Sequence, residues 1–371
     1  FYFWLKILGL MKRDLYIDYA KGLATLSIVF IHTVFWSGQF YVSNEMRIFS
    51  LLFDVPIFFA LSGLTSSGNL DKTFRRLLKL QITYMIFVTG LFFFDGFFKI
   101  FLQSFFDKET YQNFFLTFGS KYTENSLSQP FDFKLLGNWW LHQYSTCDVF
   151  PVVMGSFWYL KTYYVVTFFG VVVLRFFSKY VWWIVGFCVV FIFIFNSDPD
   201  FYPTGQVGYT VFYLLIFLVA YQLKNKKLTN FQVLLLIGFV VFSFVEMFWN
   251  YGADIFYKLN KQKFPPKIPY IVWSFVSLVM VFIFYNRLKI QKENLLSYIG
   301  QNAIFFYFAQ GISSSLVYFF IPVFRENLHW FALMILIYVL NVLLAVIIAK
   351  FLKKIDEQGW KILNLLAEKI K

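Results

Sequence analysis

Charge is scarce in this chain. Only 14% of its 371 residues are Asp, Glu, Lys or Arg, against roughly 25% in soluble domains, too few to cover a water-facing surface. Cysteine is scarcer still: Cys147 and Cys188 are the only two. Cys188 sits inside an apolar run, which argues against a disulfide between them, and no metal-ligand spacing occurs, so no metal is expected. No segment has the form of a cleaved signal peptide, and none has the composition of an attached soluble domain. Acidic residues are outnumbered, 20 against 33 Lys and Arg, giving a net charge of +13. The basic excess falls in short loops between apolar runs, the pattern of membrane topology rather than of nucleic-acid binding.

Apolar side chains supply what charge does not. Hydrophobic residues make up 59% of the chain and aromatics 24%, in blocks of about 18 to 25, enough to cross a ~30 Å hydrocarbon core at 1.5 Å per residue. The expected fold is an all-α polytopic membrane bundle with spans near 15–36, 47–66, 77–102, 151–176, 180–195, 207–223, 230–249, 269–286, 295–321 and 329–350. Residues 11–352 form the membrane domain, 353–371 a basic tail, and 1–10, which precede the start-like MKRDLYIDYAKG, an upstream extension. The one long connection, 103–150, carries Trp139, Trp140 and His142 and is expected to fold as an outer cap.

Alternate connections hold Lys12 and Arg13; Lys72, Arg75, Arg76 and Lys79; Arg175 and Lys179; Lys224, Lys226 and Lys227; Arg287, Lys289 and Lys292; and the tail. The intervening ones hold far fewer. This asymmetry places both termini in the cytoplasm and the chain in the plasma (inner) membrane as a multi-pass protein, in contact with membrane lipids. The loop 250–268, with Lys258, Lys261, Lys263 and Lys267, breaks the pattern.

Ionisable groups inside spans are costly unless paired or hydrated, and therefore mark candidate sites. The first span holds Asp18, Lys21 and His32. Lys21 and His32 are eleven residues apart, which is about 16 Å of rise and roughly 20° from alignment on one helix face. Asp18 with Lys21 reads either as an interfacial ion pair or as part of a binding site, and His32 either as a structural imidazole or as a base. Asp54, Asp95, Lys161 and Glu246 form a second set in later spans, either pairing with one another or lining a polar cavity near His32.

These residues resemble a known family. Arg13 to Gly22 followed by His32, then PIFFALSG (Pro56 to Gly63), FRRLLKL (Phe74 to Leu80), FWYL (Phe157 to Leu160) and LLSYIGQNAIFFYFAQ (Leu295 to Gln310) are similar, in order, to the signatures of the membrane-bound acyltransferase 3 family over about residues 15 to 310. That family usually carries Arg where this chain has Lys21, and often His where it has Gln310.

The resemblance implies transfer of an acyl group, most often acetyl, from acetyl-CoA (acyl-CoA) as co-substrate to a hydroxyl of a cell-surface or lipid-linked glycan. His32 would act as general base or carry the acyl group itself, and Asp54 would orient the imidazole. Asp18, Lys21, Arg75, Arg76 and Lys79 would hold the CoA phosphates. Asp95, Trp158, Tyr159, Lys161 and Glu246 would meet the acceptor, with Trp139 and Trp140 as further sugar-stacking candidates. A transporter or flippase for a glycolipid or small solute remains the alternative, and it predicts helices broken around the charges. A reporter fused after Lys226 should be cytoplasmic and one within 115–135 external; both on the same side would contradict a two-sided mechanism.

Overall fold

The computed structural model describes residues 14–117, 129–143, 147–197, 206–285 and 287–370; the expected extension 1–10 lies outside them. The helices are α1 Leu15–Phe35, α2 Asn44–Ser50, α3 Pro56–Thr65, α4 Leu70–Phe105, α5 Lys108–Thr117, α6 Phe133–Trp140, α7 Pro151–Ser156, α8 Trp158–Phe176 and α9 Val181–Ser197, then α10 Gln206–Leu223, α11 Asn230–Tyr251, α12 Asp254–Tyr257, α13 Ile268–Phe284, α14 Leu295–Gln301, α15 Ala303–Leu316, α16 Phe320–Arg325 and α17 Trp330–Ile370. Among the described residues, eight helical segments are long and apolar enough to cross a membrane; α3 and α13 are shorter apolar helices. Among the described residues no strand occurs beyond one isolated bridge, Lys263 to Pro266. This is an all-α polytopic membrane bundle.

Polar side chains set the helix starts. Asp14 accepts from the Tyr16 amide before α1, and Asn69 from the Lys72 amide before α4. Capping boxes open α11 (Thr229 with Gln232) and α14 (Asn294 with Ser297). Two expected spans are interrupted. Pro56, at the first turn of α3, has no amide hydrogen and clashes with a preceding helical turn, so 47–66 splits into α2 and α3 with Asp54 in the gap. The span 295–321 breaks at Asn302, whose side-chain amide bonds the Tyr298 carbonyl.

Phe and Trp cover the outside. On α11 Met247 is the one buried residue, while Phe231, Phe242, Phe248 and Trp249 are exposed, as suits a helix whose surroundings are hydrocarbon. Contacts inside the bundle depend on small residues. A Cβ on Gly22 would lie 2.0 Å from the Leu296 carbonyl oxygen, and at Gly300 a side chain would overlap the Asp18 carbonyl. Helices α1 and α14 therefore touch backbone to backbone.

The described part of the long connection does not lie over the bundle as a cap; it runs down the flank of α4. Phe131 packs on Phe97 with ring centroids 5.1 Å apart. Some 24 Å further along α4, Gln81 donates to the Trp140 carbonyl at 3.0 Å and sits 2.7 Å from His142 Nε2. Tyr84 donates to the Trp139 carbonyl at 2.7 Å. The chain then returns, with Val149 N donating to Asp95 at 3.0 Å and Asp148 pairing with Lys99 at 2.8 Å. The basic tail, in turn, continues α17 without a break: Asp356 accepts from Thr83 at 2.9 Å, and Lys79 lies 5.5 Å over the Trp360 ring.

Gly300→Val should destabilise the protein by about 1–3 kcal/mol or more through overpacking against α1, whereas Gly238→Ala, with no atom within 4 Å of its added Cβ, should leave thermal stability almost unchanged. Equal melting temperatures for the two variants would contradict the close α1–α14 contact.

Candidate active site

One face of α1 lines a cavity of about 480 Å³. Lys21 and Arg76 line it at one end, beside the α14–α15 break with Gly300 and Gln301; the first turn of α15 adds Ala303 and Ile304. Arg76 is exposed there, so this end opens to the surface. About 16 Å along α1 the wall carries His32, Asp54, Lys263 and Trp158, with Tyr159, Tyr163 and Tyr307 also lining the cavity.

An ion pair lines the His32 end. Asp54 sits in the gap before α3, where its Oδ1 accepts from the Val55 amide at 2.7 Å. Lys263 reaches in from the segment between α12 and α13 and places Nζ 2.7 Å from Asp54 Oδ2 and 2.9 Å from Oδ1. Tyr270 donates to Oδ2 at 2.8 Å. The ammonium also lies 5.3 Å from the centroids of both Trp158 and Phe264, within cation–π range. Asp54 and Lys263 side chains are 1% and 8% exposed. A buried pair with its acceptors filled fits an apolar wall, and removing one partner strands the other.

His32 differs from its neighbours because its Nδ1 is buried with no hydrogen-bond partner. The expectation that Asp54 orients this imidazole therefore needs correction: both carboxylate oxygens are engaged by Lys263, Tyr270 and Val55, and no hydrogen bond joins Asp54 to His32. Gln310 on α15 lines the same cavity, 1% exposed, with Oε1 and Nε2 both unpartnered.

The remaining candidates divide. Lys21, Arg76, Trp158 and Tyr159 line the cavity. Arg75 and Lys79, on the same helix as Arg76, are exposed and do not line it. Asp18 is buried but likewise stays outside the lining. Asp95 belongs to a separate buried cluster, paired with Lys99 at 2.6 Å and accepting from Cys147 at 3.3 Å. Lys161 is exposed on α8 and faces away from the cavity. Glu246 is exposed on α11, where Asn250 donates to it. Asp95, Lys161 and Glu246 thus neither pair with Asp54 nor share its cavity. Trp139 is wholly buried against α4, and Trp140 donates to Thr89, so both serve packing rather than a sugar platform.

Lys263 was missed as a site residue. The signal was present in the four lysines of 250–268, the loop that departs from the charge asymmetry: one of the four is inside the protein and answers Asp54 rather than the membrane surface.

A family model described as an acyltransferase domain, that of the acyltransferase 3 family, matches residues 14–350. The chain belongs to the acyltransferase 3 family. No curated protein and no solved structure matches it. The matched span includes every cavity-lining residue named above, and the resemblance read from Lys21, His32 and the later motifs is confirmed at the level of the family: the chain is a multi-pass membrane acyltransferase.

Lys263→Met should cost about 3 kcal/mol of stability by leaving Asp54 buried without its cation, and Lys263→Met combined with Asp54→Asn should recover part of that loss. Thermal unfolding in detergent measures both; additive losses would show that the two residues act independently.

Proposed function

We propose that this acyltransferase moves an acetyl or similar short acyl group from cytosolic acyl-CoA to a hydroxyl of a cell-surface or lipid-linked glycan. The observation that carries this reading is the single cavity joining the Lys21–Arg76 mouth to His32. CoA is polyanionic at one end and reactive at the other. A pantetheine arm is on the order of 15–20 Å long by extended-chain geometry, close to the ~16 Å rise between Lys21 and His32. Phosphates held at the mouth would therefore bring the thioester to the imidazole. The Lys and Arg distribution supports a mouth on the cytoplasmic side of the plasma membrane, with both termini there, where acyl-CoA would be available.

The chemistry needs a base at the far end. His32 would accept the proton of the acceptor hydroxyl as its oxygen attacks the thioester carbonyl carbon. Collapse of the tetrahedral intermediate breaks the C–S bond, and the departing thiolate takes the proton back from the imidazolium. An unpartnered ring nitrogen suits such a base, since it is already free of competing bonds. The acceptor would arrive from the side of Lys263, where Trp158 and Tyr159 offer apolar faces to a sugar ring. Lys21, in place of the family's usual Arg, would give a point charge without a bidentate fork, leaving Arg76 as the one planar phosphate clamp lining the cavity.

The test is transfer of radiolabel from acetyl-CoA by the purified protein in lipid. His32→Ala should lower turnover by about 10²–10⁴-fold while CoA still binds. Arg76→Ala and Lys21→Ala should weaken CoA binding in a salt-dependent way, and Arg75→Ala should do so much less. A well-folded His32→Ala protein that turns over near the wild-type rate would overturn the mechanism, and movement of a glycolipid with no acyl transfer would favour a carrier.

A further inference from the structure

Among the described cavity-lining residues, two carry buried side-chain polar atoms with no hydrogen-bond partner: His32, at Nδ1, and Gln310, at both Oε1 and Nε2. Several other polar side chains of the lining are engaged. Thr25 donates to the Lys21 carbonyl, Ser156 to the Val153 carbonyl and Tyr307 to the Ser156 carbonyl; Lys263 and Asp54 hold each other. A primary amide left with neither donor nor acceptor satisfied is costly inside a protein, and such groups call for a ligand or a catalytic role.

The position of Gln310 is fixed by a polar network beside it. Asn341 of α17 donates to Thr33 of α1 at 2.9 Å and to Ser314 of α15 at 3.0 Å, and it accepts from Ser313. These four residues are all 4% exposed or less. Thr33 adjoins His32, and Ser313 and Ser314 lie about one helical turn beyond Gln310, ~5 Å along α15. The network therefore holds Gln310 and His32 at neighbouring levels of adjacent helices, both on the wall of one cavity.

We infer that Gln310 is the oxyanion donor of the acyl transfer: its Nε2–H groups would bond the thioester carbonyl oxygen as that oxygen gains negative charge, while its Oε1 accepts from an amide N–H of the acyl donor's pantetheine arm. The inference rests on the acyl-CoA reading above. As the acceptor oxygen bonds to the carbonyl carbon, the C=O electron pair moves onto oxygen and the hydroxyl proton passes to His32. The amide donor stabilises that charge until the C–S bond breaks and the pair returns to re-form the carbonyl. A neutral donor suits this place because Lys263, the one cation at this end of the lining, is already committed to Asp54. The position where the family often carries His still presents an N–H here, on an amide that cannot itself act as a base at neutral pH.

The test uses Gln310→Met, Gln310→Glu and Gln310→His in the full-length protein, with His32→Ala as reference. Gln310→Met, which removes the donor at similar size, should lower kcat by about 10²–10³-fold and leave the KM for acetyl-CoA within about threefold. It should also raise the melting temperature of the ligand-free protein, because an unsatisfied buried amide is gone. Gln310→Glu should lose kcat similarly, and Gln310→His, which restores an N–H, should recover most of it. A stable Gln310→Met variant with kcat within threefold of wild type, while His32→Ala is inactive, would overturn the inference and leave the acyl-CoA reading standing. A lowered melting temperature with equal losses for Met, Glu and His would assign Gln310 to packing and overturn it as well. If wild type itself transfers no acyl group from acetyl-CoA, the reading and the inference fall together.

Discussion

A side-chain amide packed between helices of a lipid-embedded bundle, away from any cavity, finds its partners within the protein. Asn341 finds them on two other helices, bonding Thr33 and the Ser313–Ser314 pair. A shift of α1 or α15 along its axis by one residue would orphan these groups, so the network sets the register of three helices at one level. The site is built on that register. His32 follows from Thr33, Gln310 from Ser313, and the cavity between them exists because α1 and α15 are held at this setting. At the other end the glycine contacts of Gly22 and Gly300 bring α1 against α14, and the break at Asn302 opens the mouth beside Lys21.

Charges in the spans follow one rule with different outcomes. In the buried cluster away from the cavity, Lys99 lies between Asp95 and Asp148 and pins the returning chain to α4. Asp54 and Lys263 neutralise each other at the His32 end of the cavity, where Tyr270 and a backbone amide also donate to the carboxylate. Lys21 and Arg76 instead lie at the open end, where water can reach them and an anion can replace it. The helix breaks beside the cavity are what a carrier would also show. In this chain they accompany membership of an acyltransferase family and a cavity lined by both Lys21 and His32, whose separation of ~16 Å along α1 is close to the length of a pantetheine arm.

Much of the architecture was legible because lipid imposes a simple length and polarity rule. The spans, the all-α class and the family followed from apolar run lengths and from Lys21, His32, Pro56–Gly63 and Phe74–Leu80. Pairing was less legible. Asp54, Asp95, Lys161 and Glu246 look alike in sequence, yet one is in the cavity, one in a separate ion cluster and two on the periphery, because helix rotation and neighbours decide what a side chain faces. Some signals were present: the i,i+4 spacing of Asp95 and Lys99 is that of a helical ion pair, and so is that of Glu246 and Asn250 for a local hydrogen bond. Lys263 could not be assigned to Asp54 across 209 positions without the fold. Gln310 stood out in the sequence only as a departure from the family's usual residue, and its significance comes from having no hydrogen-bond partner on a wall where Thr25, Ser156 and Tyr307 have theirs.

The central claim is that a CoA thioester anchored at Lys21 and Arg76 reaches His32 through one cavity. Affinity labelling with bromoacetyl-CoA tests it directly, since the reactive carbon is carried beside the thioester carbonyl and an imidazole nitrogen can displace its bromide. Peptide mass spectrometry should find the adduct on His32, suppressed by excess CoA and weakened by Arg76→Ala. Labelling confined to other residues, or His32 labelling that excess CoA does not suppress, would contradict the account.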